Sequence, residues 1–304
     1  MPITGYQHAS YAASLIEYGE LVFLEHSGGW LLKRAIPGYS SYDAMGCYPL
    51  FSCSDWSALD RDMSNLGESL VSVTIVTDPF GDFDTGLLSR CFPDIVNPFK
   101  EHFVVDLGQP VEKVASSHHR RNARKALSNV MIENSLEPAS WIEDWIELYA
   151  NLIRRHDIKG MAAFSDTQLS EQLGVPGIVA FRGTNGGQVM GMQLWYVQGD
   201  VAYYHLGAYS ARGYDLRASF ALFWHAIDYF STSGLQWLNL GAGAGISRDS
   251  SDGLSRFKRG WATGTRTAYL CGRVFERQRY RTITTAGGIS STGYFPAYRE
   301  GEFI

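Results

Sequence analysis

The sequence has little with which to build a disulfide scaffold. Its 304 residues hold four cysteines, Cys47, Cys53, Cys91 and Cys271, and no pair shows Cys-x-x-Cys spacing. Cysteines so sparse fit reduced, structural thiols in the cytosol. No apolar run approaches the ~18 residues that a membrane-spanning helix needs. No basic segment leads into an apolar stretch at the N-terminus, so no signal peptide is predicted either. Positive charge is not in excess: Lys and Arg total 26 against 31 Asp and Glu, a formal net charge of −5. Any contact with nucleic acid must then come from a local patch, because the global field does not favour it.

Reactive motifs are scarce as well. There is no Gly-x-Ser-x-Gly and no convincing Cys/His pairing, which argues against a covalent acyl-enzyme. His118 and His119 are adjacent, so on a helix they point ~100° apart. No His-x-x-x-His or Cys/His cluster accompanies them, and no metal site is expected. Gly241, Gly243 and Gly245 lack the rest of Gly-x-Gly-x-x-Gly and the acid that should trail it; a sharp turn accounts for them.

What the chain does have is aromatic and aliphatic bulk. At 45% hydrophobic and 13% aromatic it can bury a large core, and its length suits one or two domains. The spacing predicts a helix over 8–18 and a hairpin of Leu21–Glu25 with Trp30–Ile36, turning at Gly28-Gly29. An irregular stretch, 38–51, leads to a helix from Ser54 or Asp55 to about Leu66. Strands follow at Leu70–Thr77 and His102–Leu107, with a helix near Leu87–Val96 that Pro93 weakens. A strongly basic helix over 111–128 precedes a strand, Val130–Ser135. Glu137 to Ser140 is the best boundary between two halves, residues 1–137 and 138–304, with Ser140 as the cap of the next helix. In that helix Trp141, Trp145, Leu148 and Leu152 share a face. A short helix, Asp166–Leu173, and strands Gly177–Arg182 and Val189–Val197 come next.

The stretch Val201–Trp261 is the most strongly patterned. It reads as a strand, Val201–Tyr209, and then a helix with Leu216, Phe220, Phe223, Ile227 and Phe230 on one face. Gly234 stops the helix. The strand Leu235–Leu240, a glycine turn and a polar loop, Ser247–Asp252, lead to Gly253–Trp261, where basic and aromatic residues stand together. A late strand, Arg266–Val274, and a flexible tail over 286–293 end the chain. The order of elements is mixed α and β (α+β), with helices on central sheets.

Several segments, in order, carry a resemblance. They are the basic run His119–Ala126, a Trp/Tyr-rich helix ending at Arg155-His156-Asp157-Ile158, Tyr203-Tyr204-His205-Leu206-Gly207-Ala208, Leu238-Asn239-Leu240-Gly241 and Phe257-Lys258-Arg259-Gly260-Trp261. The order resembles the Fem family (FemAB-like) of aminoacyl- and acyltransferases, whose members look like two tandem GNAT-like domains, each a mixed sheet flanked by helices. The resemblance covers roughly residues 20–285 and is densest over 118–261. It implies amide-bond formation: an aminoacyl group passes from aminoacyl-tRNA to an amine of a peptide or small metabolite, in the cytoplasm, with no metal or redox cofactor. An acyl-CoA-dependent N-acyltransferase is the rival enzyme. A non-catalytic tRNA- or nucleotide-binding module is the rival of another class.

The same resemblance assigns site residues. Lys258 would hold donor phosphates and steady the charge that develops on the attacked carbonyl, and Phe257 would stack on a terminal adenine. Arg155 would face the acceptor with a fork of donors; Tyr48, His205 and Arg259 are further expected substrate contacts. Arg120, Arg121, Arg124 and Lys125 form a basic ridge for a tRNA backbone, although a solvated helix face is the ordinary explanation of such a run. Asp43, Tyr204 and His205 are the candidates for the proton that the amine must lose. Two departures stand out. Where family members often carry Gly-Pro-apolar-apolar-Asp, this chain reads Tyr48-Pro49-Leu50-Phe51-Ser52, so either Asp43 substitutes or the acceptor differs. The GNAT loop that binds CoA pyrophosphate is represented by 212–218, with its glycines misplaced and Asp215 among them. This argues against ordinary acetyl-CoA chemistry.

Overall fold

Where apolar residues alternate between turn residues the chain forms strands, and where they recur every three or four positions it forms helices. The computed structural model describes residues 2–135, 137–243, 252–286 and 294–302. Gly245, most of the loop Ser247–Asp252 and the tail beyond Ala286 to Gly293 therefore lie outside the described residues. In chain order the first elements are α1 (Ala9–Ala13), β1 (Glu20–Phe23), β2 (Trp30–Ala35), β3 (Tyr42–Gly46), α2 (Leu59–Asn65), β4 (Ser72–Val76), α3 (Thr85–Cys91) and β5 (Ile95–Asp106). Next come α4 (Val111–Val114), α5 (Ser117–Leu127), β6 (Met131–Ser135), α6 (Ile142–His156), α7 (Asp166–Leu173), β7 (Ile178–Asn185) and β8 (Gln188–Gln198). The last are β9 (Val201–Tyr209), α8 (Ala211–Asp215), α9 (Ala218–Ser231), β10 (Trp237–Asn239), α10 (Gly253–Arg259), β11 (Gly264–Val274) and α11 (Arg277–Ala286).

Two compact units result: residues 1–5 with 101–266, and residues 6–100 with 267–304. In the first, the strands run β5-β10-β9-β8-β7-β6, and β10 lies parallel to β9 among antiparallel neighbours. In the second, the order is β1-β2-β3-β4-β11, and β3 lies parallel to β4 among antiparallel neighbours. Each unit thus repeats one scheme, a parallel pair flanked by antiparallel strands, as the resemblance implied. The division expected at 137/138 falls inside the first unit. The reason is pairing: β6, before that point, is hydrogen-bonded along its length to β7, after it. The second unit in turn takes its last strand, β11, from the far end of the chain.

The core of the first unit is the apolar face of α9 laid on the sheet. Phe223, Ile227 and Phe230 are fully buried there with Trp195 and Phe181, each side chain contributing roughly 1.5–3 kcal/mol. The predicted basic helix over 111–128 is two helices. Ser116 breaks it, because its hydroxyl accepts the His119 N–H (3.2 Å) and so caps a new start. Ser140 does not cap α6: its hydroxyl donates to the Glu137 carbonyl (2.8 Å), and the chain enters the helix through a 3-10 turn, Pro138–Trp141. All four cysteines are buried and free.

Candidate functional site

The site of interest lies where β9 and β10 part. They pair only through Val201–Tyr203 and Trp237–Asn239. Past that point β9 continues along β8 to Tyr209, while the chain leaves β10 through Gly241, whose φ of 73° is a left-handed conformation that glycine adopts freely. A fork opens between the strands, and α10 points its lysine into it. Asp252 caps α10 by accepting from the N–H groups of Leu254 and Ser255 (2.8 and 2.9 Å). Two turns on, Lys258 is only 6% exposed. Its Nζ donates to the Ala242 carbonyl (2.6 Å) and stands 5.7 Å from the centre of the Tyr204 ring. Loss of hydration lowers its pKa from 10.5 to about 7, against the opposing pull of Asp252. Near neutrality this amine can therefore both hold and release a proton.

Tyr204 is the floor beneath it. Its hydroxyl lies over Gly207, where a Cβ would come within 1.9 Å of it, so only glycine leaves it room. That hydroxyl is hydrogen-bonded to Tyr209, which also accepts from the Gln193 amide (3.0 Å). Burial raises the Tyr204 pKa well above 10 and pushes Tyr209 up to about 12. Both phenols stay protonated at neutral pH, and Tyr204 gives its hydroxyl proton to Tyr209. The Tyr209 ring meets Tyr214 edge-on at 5.7 Å, and the Arg155 guanidinium, from the last turn of α6, lies 4.0 Å over Tyr214. Arg155, Tyr204 and Lys258 are thus joined through Tyr209 and Tyr214, which the sequence did not single out.

Phe257 turns the other way. Its ring packs among Phe220 (5.0 Å), Phe223 (5.1 Å) and His119 (5.5 Å), so its role here is to seat α10 and, with it, Lys258. His119 locks the same seat. Its Nε2 donates to the Phe257 carbonyl (2.9 Å) while Nδ1 accepts from the Ser116 hydroxyl (2.8 Å). Burial lowers its pKa and keeps it neutral.

The remaining expected residues are dispersed. His205 lies on the sheet face away from α9, bonded to Gln172 Oε1 (3.1 Å), and burial drops its pKa to about 3, which makes it a feeble base. Asp43 and Tyr48 belong to the second unit. Both oxygens of Asp43 take the Arg299 guanidinium (2.9 and 2.8 Å) and Arg34 adds an ion pair at 3.7 Å, so this carboxylate is occupied in holding the chain end. The Tyr48 carbonyl accepts from Tyr11 (2.5 Å), and burial raises the pKa of its phenol. Arg259 is exposed and lies 5.7 Å over Phe103. Arg120 bends back to the carbonyls of Glu112 and Ala115, both at 2.8 Å, whereas Arg121, Arg124 and Lys125 are exposed.

One group is invisible in the sequence pattern. His102 Nδ1 is 3.0 Å from Asn239 Oδ1, which also accepts the Gly241 N–H at 2.9 Å. A backbone N–H can only donate, so the amide atom it meets is oxygen, and Nδ1 of His102 donates to it. Register puts His102 and Asn239 on the face with Tyr203, opposite α9. The end of β10 is therefore gripped by Lys258 at Ala242, and on the far side of the sheet His102 is held against Asn239. Among the described residues no group of three His, Cys, Asp or Glu is placed to hold a metal.

Residues 115–259 match the family described as an acetyltransferase (GNAT) domain. No curated protein matches the sequence. Solved structures do. FemX superposes with a TM-score of 0.66 at 14% identity, covering 93% of this chain and 95% of that one. The C-terminal domain of a protein assigned as a lysylphosphatidylglycerol synthetase, from Agrobacterium fabrum, gives 0.60 at 17%, covering 94% and 96%. L-PGS from Bacillus licheniformis gives 0.60 at 14%, covering 90% and 94%. Nearly the whole chain shares this fold, and the expected likeness to Fem-type proteins is borne out. The fork between β9 and β10 falls within the matched GNAT acyltransferase domain. No helix among the described residues is long and apolar enough to cross a membrane.

Proposed function

We propose that the protein forms amide bonds, taking an aminoacyl group from aminoacyl-tRNA and placing it on an amine of a peptide or small metabolite. The observation that carries this reading is the buried Lys258 amine in the fork, held over Tyr204 and poised near neutral pKa. In the reaction the acceptor nitrogen attacks the ester carbonyl, a C–N bond forms, and the C–O bond to the ribose breaks. Charge develops on the carbonyl oxygen, where the Lys258 ammonium is the donor. The attacking amine passes its proton to water, and Lys258 returns one to the departing ribose oxygen. The protein needs no resident cofactor or metal; the tRNA is a cosubstrate, and its supply sets the reaction in the cytoplasm.

The segment before α9 supports a tRNA donor over CoA. A pyrophosphate loop must aim several backbone N–H groups outward. Here those of Gly213, Tyr214, Leu216 and Arg217 are all bonded within the segment, to Ser210 Oγ (3.1 Å) and to the carbonyls of Ser210, Arg212 and Tyr214 (3.0 Å each), and Asp215 is exposed beside them. The name of one fold neighbour refers to lysylphosphatidylglycerol, a product bearing an aminoacyl group. Purified protein, supplied with aminoacyl-tRNA made from a labelled amino acid pool and a mixture of amine acceptors, should release labelled amide that RNase abolishes. Amide formed from acyl-CoA and indifferent to RNase would replace this donor with CoA. Binding of tRNA without product from any donor would favour the non-catalytic module.

A further inference from the structure

From Lys113 to Ile132 the chain carries five basic residues, Lys113, Arg120, Arg121, Arg124 and Lys125, and no Asp or Glu. With 26 basic and 31 acidic residues in all, the remainder holds 21 against 31. A positive block within an acidic protein is a local attraction for a polyanion. The fold sorts this block. His119, Asn122, Ala123 and Ala126 are buried under α5, Arg120 is drawn back onto carbonyls, and Arg121, Arg124 and Lys125 remain on the outer face.

The fold also adds a cation that the linear run does not contain. Arg217, exposed and in the left-handed conformation (φ 59°) just before α9, donates through Nη1 to Asn122 Oδ1. Asn122 lies one turn from Lys125 and beside Arg121, and its amide nitrogen is 2.8 Å from His118 Nε2. The guanidinium of Arg217 therefore extends the basic row of α5 to the turn between α8 and α9. That turn carries Tyr214, whose ring meets Tyr209, which is bonded to Tyr204 beneath Lys258. The turn that carries Arg217 thereby touches the ring stack under Lys258.

We infer that the outer face of α5 and Arg217 form a track for the phosphodiester backbone of an RNA whose esterified end enters the fork between β9 and β10. This rests on the aminoacyl-tRNA reading above. It gives Arg217 the role that the misplaced glycines of 212–218 would have had, charge in place of backbone N–H groups. Arg120, although part of the basic run, is outside the track.

The test is binding of fluorescent, deacylated tRNA to the full chain over a range of salt concentrations. In Arg121→Gln/Lys125→Gln/Arg217→Gln, log Kd against log salt should flatten by roughly 2–3, at about 0.7–0.9 for each phosphate no longer neutralised. Affinity at low salt should fall by at least about tenfold. Arg120→Gln, and a charge-matched control in the other unit, Arg61→Gln/Arg90→Gln/Arg281→Gln, should each keep the wild-type slope. All variants are first required to melt with the wild type. An unchanged slope in the triple variant overturns the track. So does a triple variant that keeps tRNA binding but loses binding to phosphatidylglycerol vesicles, which would make the face a membrane contact. If the slope is unchanged while transfer from aminoacyl-tRNA persists, the track fails and the donor reading stands. If the slope flattens but only acyl-CoA supports transfer, the track stands and the donor reading fails.

Discussion

Replacing Lys258 by methionine should change the way stability depends on pH. In the unfolded chain the amine titrates near 10.5; in the folded protein burial brings it to about 7. Between those values the unfolded chain binds the extra proton, so folding is opposed, and the opposition weakens as pH rises. At ~1.4 kcal/mol per pH unit the full effect is roughly 5 kcal/mol below pH 7 and about 2 kcal/mol at pH 9. The methionine variant lacks it throughout. It does leave the Ala242 carbonyl without the Nζ donor, a cost of ~1 kcal/mol that does not vary with pH. Urea unfolding of both proteins, followed by tryptophan fluorescence at pH 6, 7.5 and 9, cancels the shared titrations. Wild type should lose about 3 kcal/mol relative to Lys258→Met on going from pH 9 to pH 6. Curves that move in parallel would refute a buried, near-neutral Lys258.

Other outcomes follow from the same geometry. Gly207→Ala puts a methyl within 1.9 Å of the Tyr204 hydroxyl; transfer should fall by at least about tenfold through kcat, with a smaller loss in melting temperature. Asp43→Asn leaves the largely buried Arg34 and Arg299 to share Glu302, and should cost about 3 kcal/mol in urea unfolding, the lower end for a broken buried pair; a loss under about 1 kcal/mol would mean the pair is solvated.

Much of the first unit was legible because its signals are local. The spacing of Phe220, Phe223, Ile227 and Phe230 marks α9 whatever surrounds it, and the aromatic run Val201–Tyr209 marks β9. Lys258 was found through the resemblance, since a lysine beside phenylalanine has no pattern of its own. What depends on distant partners was hidden. Asp43 looks like an available carboxylate until Arg299, 256 positions away, occupies it. His102 meets Asn239 across 137 positions, and only strand register brings them to one face. Ser116 and Ser140 show the same limit at short range: either could cap a helix, and the tertiary path of the chain decides that one does. The division into units was obscured because β5 and β11 complete sheets away from their neighbours in sequence.

The most direct test of the central claim is single-turnover transfer from labelled aminoacyl-tRNA to an amine acceptor, wild type against Lys258→Met, with tRNA binding measured on the same samples. The account predicts that tRNA is retained within about threefold while the rate of amide formation falls by at least about a hundredfold, as expected for a group that acts on the developing charge. Equal rates in the two proteins, or a loss of rate matched by an equal loss of tRNA binding, would contradict it.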